Sequence, residues 1–149
     1  MSKPEFVYVT YIQTTPERVW NALIDGEATK LYWGRSKNVS DWKVGSEWSH
    51  QDYDDGTVKV AGAVLESDPP RRLVVTWGGF NPPTKASVVT FEIQEVFGAV
   101  RLTVTHAGLD TDSEQYGRLT AGWPAILSSL KTLLETGQPM PMTTRRWGG

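Results

Sequence analysis

Tyr116, Leu119, Trp123, Ile126, Leu127, Leu130, Leu133 and Leu134 recur at spacings of three and four. That period places them on one stripe of an α-helix, and the stripe must be covered by something apolar. The pattern predicts a helix from about Ser113 to Glu135, stopped by Gly137 and Pro139. Pro124 lies in its middle and cannot donate to the carbonyl of Thr120, so a bend is expected there. One long helix with one apolar face cannot fold alone, so the rest of the chain has to supply the surface it lies on.

The preceding residues read as that surface. Phe6 to Gln13 is rich in β-branched and aromatic residues and predicts a strand. Thr15 is a suitable N-cap and Pro16 a suitable first residue for a short helix. That helix carries Val19, Trp20, Leu23 and Ile24 on one face and is expected to end at Gly26. Ala28 to Trp33 is expected to add one or two helical turns. Strands are expected over Asn38 to Val44, Glu47 to Tyr53, Val58 to Ser67, Arg72 to Trp77, Ala86 to Phe97 and Val100 to His106. Gly45, Gly56 and Gly98 mark turns, Asp68-Pro69-Pro70 a corner, and Gly78 to Thr84 a loop. In the last strand pair Val89, Phe91 and Ile93 share a face, as do Leu102, Val104 and His106. Thr90, Glu92, Arg101, Thr103 and Thr105 fall on the opposite faces, so one side of the sheet is covered and the other wet. The expected fold class is α+β: a curved antiparallel sheet gripping a long C-terminal helix, with two short helices. A chain of 149 residues suits one domain, expected over 1–137, with a mobile tail over 138–149.

Composition removes several classes of function. There is no cysteine, so disulfides, thiolate metal sites and cysteine nucleophiles are excluded. Fifteen basic and seventeen acidic residues leave a formal charge of -2, without the basic excess of a duplex-binding surface, so no nucleic-acid partner is expected. No apolar stretch reaches the ~18 residues of a membrane span, so no membrane partner is expected. The start, Met1-Ser2-Lys3-Pro4-Glu5, lacks an apolar signal core, and a cytoplasmic location is expected.

Three stretches resemble a known family: Val39-Ser40-Asp41-Trp42-Lys43-Val44-Gly45-Ser46, the run from Gly62 to Leu73 with its Asp68-Pro69-Pro70-Arg71-Arg72 corner, and Thr105-His106-Ala107-Gly108-Leu109 with Gly122-Trp123-Pro124. Together they are similar to the domain related to the activator of the heat shock protein 90 ATPase, a branch of the START-like, Bet v-like superfamily (SRPBCC). The resemblance covers Phe6 to about Gly137. It implies a helix-grip fold, in which six or seven antiparallel strands wrap the long helix. It also implies one of three roles: holding an apolar ligand between helix and sheet, acting as a cyclase or hydrolase in that cavity, or stimulating a chaperone ATPase. The activator proteins carry a separate N-terminal domain that makes much of the chaperone contact, and the first strand here begins by Phe6, which weakens the third role.

Seven tryptophans in this length are the main functional signal. Indole and phenol rings give large apolar area with one polar handle, which suits a pocket for flat, sparsely polar ligands. The candidate ligand-binding residues are Trp20, Trp33, Trp48, Trp77, Phe91, His106, Tyr116 and Trp123, though for any single aromatic, filling the core is the plainer account. Trp48 and His50 share a strand face. His106 ends an inward-facing strand, where it either meets a ligand or is simply satisfied by hydrogen bonds. A catalytic pair would have to join His106 to Glu92 or Tyr116, and Glu92 alternates away from Phe91, so no catalytic residue is assigned. No metal or other cofactor is expected, because the two histidines lack ligand spacing. Asp52-Tyr53-Asp54-Asp55-Gly56 opens like a calcium loop, but Ala63 stands where the twelfth-position glutamate is needed, so a hairpin turn is the better account. The expected partner is therefore a small hydrophobic ligand, with a chaperone as the alternative.

Overall fold

The computed structural model describes residues 5–80 and 85–146. Seven strands form one antiparallel sheet: β1 Phe6–Ile12, β2 Ser36–Ser40, β3 Glu47–Asp52, β4 Val58–Asp68, β5 Arg72–Gly79, β6 Ser87–Val96 and β7 Ala99–Ala107. Their order across the sheet is β1-β7-β6-β5-β4-β3-β2. The helices are α1 Pro16–Ile24, α2 Gly26–Tyr32 and the long α3 Glu114–Thr136. This is the helix-grip architecture: the sheet curves round α3, and the two short helices close one end.

Local chemistry accounts for most of the boundaries. The Thr15 hydroxyl accepts the Arg18 amide at 3.3 Å and starts α1. Gly26 does not end that helix as expected; it opens α2. Asp25 ends α1 with its own amide bonded to the Asn21 carbonyl, and its carboxylate caps α2 by accepting from the Glu27 amide at 3.0 Å. One residue serves both helices, so the chain turns without a loop. The second strand stops at Ser40 rather than Val44, because Trp42 sits at φ 59°, outside any strand conformation. The fifth strand continues past Trp77, since Gly78 and Gly79 pair with Ala61 and Val60. Of the loop expected there, residues 81–84 lie outside the described residues. α3 runs unbroken through Pro124 and ends at Gly137, whose φ of 85° is cheap only for glycine and whose amide reaches the Leu133 carbonyl at 2.8 Å.

Packing follows the periods read from the sequence. Val89, Phe91, Ile93, Leu102, Val104 and His106 all face inward and are buried. On α3, Trp123, Ile126, Leu127, Leu130 and Leu134 are buried against them in one continuous core. Gly62 permits a close approach inside the sheet. A Cβ there would lie 2.0 Å from the Thr76 carbonyl oxygen, which instead accepts the Trp48 indole N–H at 2.7 Å. Beyond Gly137 the chain, expected as a tail, is packed as far as Arg146. Thr143 is buried, its carbonyl accepts the Gly34 amide at 2.9 Å, and its hydroxyl bonds Ser129 at 2.6 Å. Arg146 forks onto the Asp52 carboxylate at 2.6 and 2.8 Å, while residues 147–149 lie outside the described residues.

Candidate functional site

A cavity of about 380 Å³ lies between the first half of α3 and the β3–β5 part of the sheet. Sites for small molecules usually span ~300–1,000 Å³. From α3 it is lined by Gln115, Arg118, Leu119, Gly122, Trp123 and Ile126. The sheet contributes His50, Lys59, Val60, Trp77 and Gly79. The α2–β2 junction closes it with Trp33, Gly34 and Ser36. No carboxylate stands among these described lining residues, whereas Lys59 and Arg118 bring two cations.

Of the eight residues singled out from sequence, Trp33, Trp77 and Trp123 meet here. Trp33 and Trp77 stack with centroids 6.2 Å apart and planes 15° from parallel. Trp123 lies 5.4 Å from Trp33 at 61° and 5.5 Å from Trp77 at 53°. The three indoles form one packed corner of the cavity wall, with Trp33 and Trp77 4% and Trp123 1% exposed. The other five do not line this cavity. Trp48 and Phe91 sit behind the wall, with Trp48 5.4 Å from Trp77 and Phe91 6.0 Å from Trp123. Trp20 is buried in the core and Tyr116 is half-buried on the first turn of α3. His106, fully buried, stands behind Trp123. Alternation and helical phase told which way these side chains point. Only the curvature of the sheet decides where along α3 the two layers separate.

The two histidines are held differently. The Trp123 indole N–H can only donate, and it donates to His106 Nδ1 at 3.1 Å. The ring hydrogen of His106 is then on Nε2 and goes to the Ser87 hydroxyl at 2.7 Å, which in turn donates to the Trp77 carbonyl at 3.1 Å. His106 is thus a satisfied strut between helix and sheet. Burial lowers its pKa to about 4, so it is neutral. The amide nitrogen of Asn38 donates to the Leu23 carbonyl at 3.1 Å, which turns its oxygen toward His50 Nδ1 at 2.8 Å. Nδ1 of His50 therefore donates and Nε2 keeps a lone pair, with no hydrogen-bond partner among the described residues. Burial first, then the nearby Lys59 charge, lowers the His50 pKa to about 3.

Lys59 was not legible as a cavity residue. Regular alternation on β4 would turn it away from the face that Val60 shares with His50. The strands slip here: His50 pairs with Val60 but Gln51 pairs with Val58, so Lys59 is an extra, bulged residue. The bulge brings its ammonium to the Ser36 hydroxyl at 2.9 Å, on the cavity wall. Asp52, in contrast, belongs to the hairpin turn: its carboxylate accepts the amides of Asp54 and Asp55 at 3.1 and 3.0 Å as well as Arg146, whose guanidinium holds its pKa down to about 2. Among the described residues no group of three His, Asp or Glu side chains is placed to hold a metal.

Comparison with known proteins agrees with this architecture. The family model described as activator of Hsp90 ATPase homolog 1-like protein matches residues 13–135. No curated protein sequence matches the chain. Among solved structures, MLL2253 from Mesorhizobium loti is 27% identical, with a TM-score of 0.75 over 88% of this chain and 96% of its own. CalU16 from Micromonospora echinospora is 20% identical, with a TM-score of 0.74 over 93% and 70%. The Aha1 dimer from Colwellia psychrerythraea is 19% identical, with a TM-score of 0.72 over 91% and 98%. At such identities the last two speak for the fold alone.

Proposed function

This chain belongs to the family of activator of Hsp90 ATPase homolog 1-like proteins, and we propose that its own role is to bind a small, flat, hydrophobic ligand in the cavity between sheet and long helix. One observation carries this reading: three packed indoles, with Val60, Leu119 and Ile126, wall a space of ligand size between helix and sheet. Burying a planar apolar molecule there gains ~25 cal/mol per Å² removed from water, and ring-on-ring contacts add to it. A cyclase or hydrolase would need a proton donor or acceptor poised near neutral pH. His106 is committed to Trp123 and Ser87, and Glu92 lies on the other face, 3.4 Å from Arg72. Tyr116 is outside the lining. The chaperone role finds its support in the family's description.

The test is an NMR titration of labelled protein with naphthalene. The indole N–H signals of Trp33, Trp77 and Trp123 should shift saturably, those of Trp20 and Trp42 should stay, and a chelator should change nothing. Shifts that never saturate, or that spare the three cavity indoles, would remove the binding reading. Shifts appearing only on addition of a heat shock protein 90 would favour the co-chaperone role instead.

A further inference from the structure

Besides its apolar lining the cavity carries Gln115 and Arg118 on the α3 side and His50, Lys59 and Ser36 on the opposite wall, and this second polar group is built rather than incidental. His50 is 6% exposed and presents an unused acceptor, Nε2. The β-bulge turns Lys59 to the same wall, where its ammonium spends one N–H on Ser36 and has no carboxylate partner among the described residues. An acceptor and a cationic donor therefore line the same cavity as Trp33, Trp77 and Trp123. The group that satisfies both is one that donates a hydrogen and accepts one through the same atom.

We propose that this wall receives a hydroxyl carried on an aromatic ring, so that the ligand class of the cavity is a phenol. The O–H donates to His50 Nε2, the oxygen accepts from Lys59 Nζ, and the ring lies against the wall that the indoles form. A neighbouring ammonium polarises an aromatic hydroxyl and makes it the better donor to a neutral imidazole. An ionised carboxylate would suit Lys59 but has no hydrogen for His50, and an ether accepts without donating. This assignment rests on the cavity being a ligand site, and the experiment separates the two.

Calorimetric titrations of the unmodified protein with 2-naphthol, 2-methoxynaphthalene, 2-naphthoate and naphthalene hold the ring constant and vary the polar group. 2-Naphthol should bind at least about ten-fold more tightly than the methoxy compound, the cost of leaving a buried acceptor unpaired. His50→Phe, with folding checked by its melt, should abolish that preference while naphthalene affinity persists. Lys59→Met, at a half-exposed position, should reduce the preference without touching the core, and it decides the matter should the histidine variant fail to fold. Naphthalene and 2-naphthol binding equally well would overturn the phenol assignment and leave the cavity reading standing. Preference for 2-naphthoate would overturn it in favour of an anion site at Lys59 and Arg118. Failure of all four compounds to bind would overturn both.

Discussion

Replacing Trp123 by alanine removes the side chain that most directly joins helix, sheet and cavity. Trp123 is 1% exposed. An indole buries ~200 Å² of mostly apolar surface, worth ~5 kcal/mol as an upper bound at ~25 cal/mol per Å². The substitution also strips His106 Nδ1 of its donor, and a buried acceptor left unpaired costs ~1–3 kcal/mol. Against this, the indole lies on the wall of an existing cavity, so the void left by its removal opens into that cavity and the penalty is smaller than in a filled core. The balance is a loss of ~4–6 kcal/mol, or a fall in Tm of ~10–20 °C for a domain of this size. Trp123→Phe keeps most of the apolar area and deletes only the donor, so it should cost ~1–3 kcal/mol. Urea unfolding of both variants by circular dichroism measures the two costs. An alanine variant losing less than ~2 kcal/mol, or a phenylalanine variant as stable as the parent, would refute the reasoning that this indole is both keystone and hydrogen-bond donor.

Leu130 is fully buried under the grip, so Leu130→Ala should cost ~2–5 kcal/mol in the same assay, and a loss under about 1 kcal/mol would mean that α3 does not pack as described. Gly62→Ala should be among the most damaging small substitutions, by more than ~2 kcal/mol, because its Cβ would fall 2.0 Å from a backbone oxygen that cannot swing aside; a near-neutral effect would contradict the β4–β5 register. Acid should weaken the fold well above the carboxylate range. Both histidines bind a proton more weakly folded, at about 4 and about 3, than the ordinary 6.5 of the unfolded chain. Their contribution is therefore complete above pH 6.5 and drains away as pH falls toward 4 and 3. Urea midpoints at pH 7 and pH 4.5 should differ accordingly, and equal midpoints would mean that the rings are solvated. Asp52, at about 2 against an ordinary 3.8, adds a further loss only below pH 3.8.

The layered fold was legible in the sequence because it rests on short-range periodicity. The three-and-four spacing from Tyr116 to Leu134 specified α3 and its apolar stripe, and the alternation in β6 and β7 specified which residues face it. Gly137 marked the end of α3 because only a left-handed residue closes that turn. Tertiary structure alone decided the rest. The Trp48 indole went to the Thr76 carbonyl because Gly62, between them in the sheet, has no side chain to block the approach. Lys59 reached the cavity because β3 and β4 slip by one residue, and a slip is a property of the pair that neither strand carries by itself. His50 and His106, alike in sequence as inward histidines, became an open acceptor and a closed strut through partners 12 and 17 residues away. Periodicity names the face a side chain occupies; the depth, the neighbours and the empty space beside it follow only once distant strands and helices have been brought together.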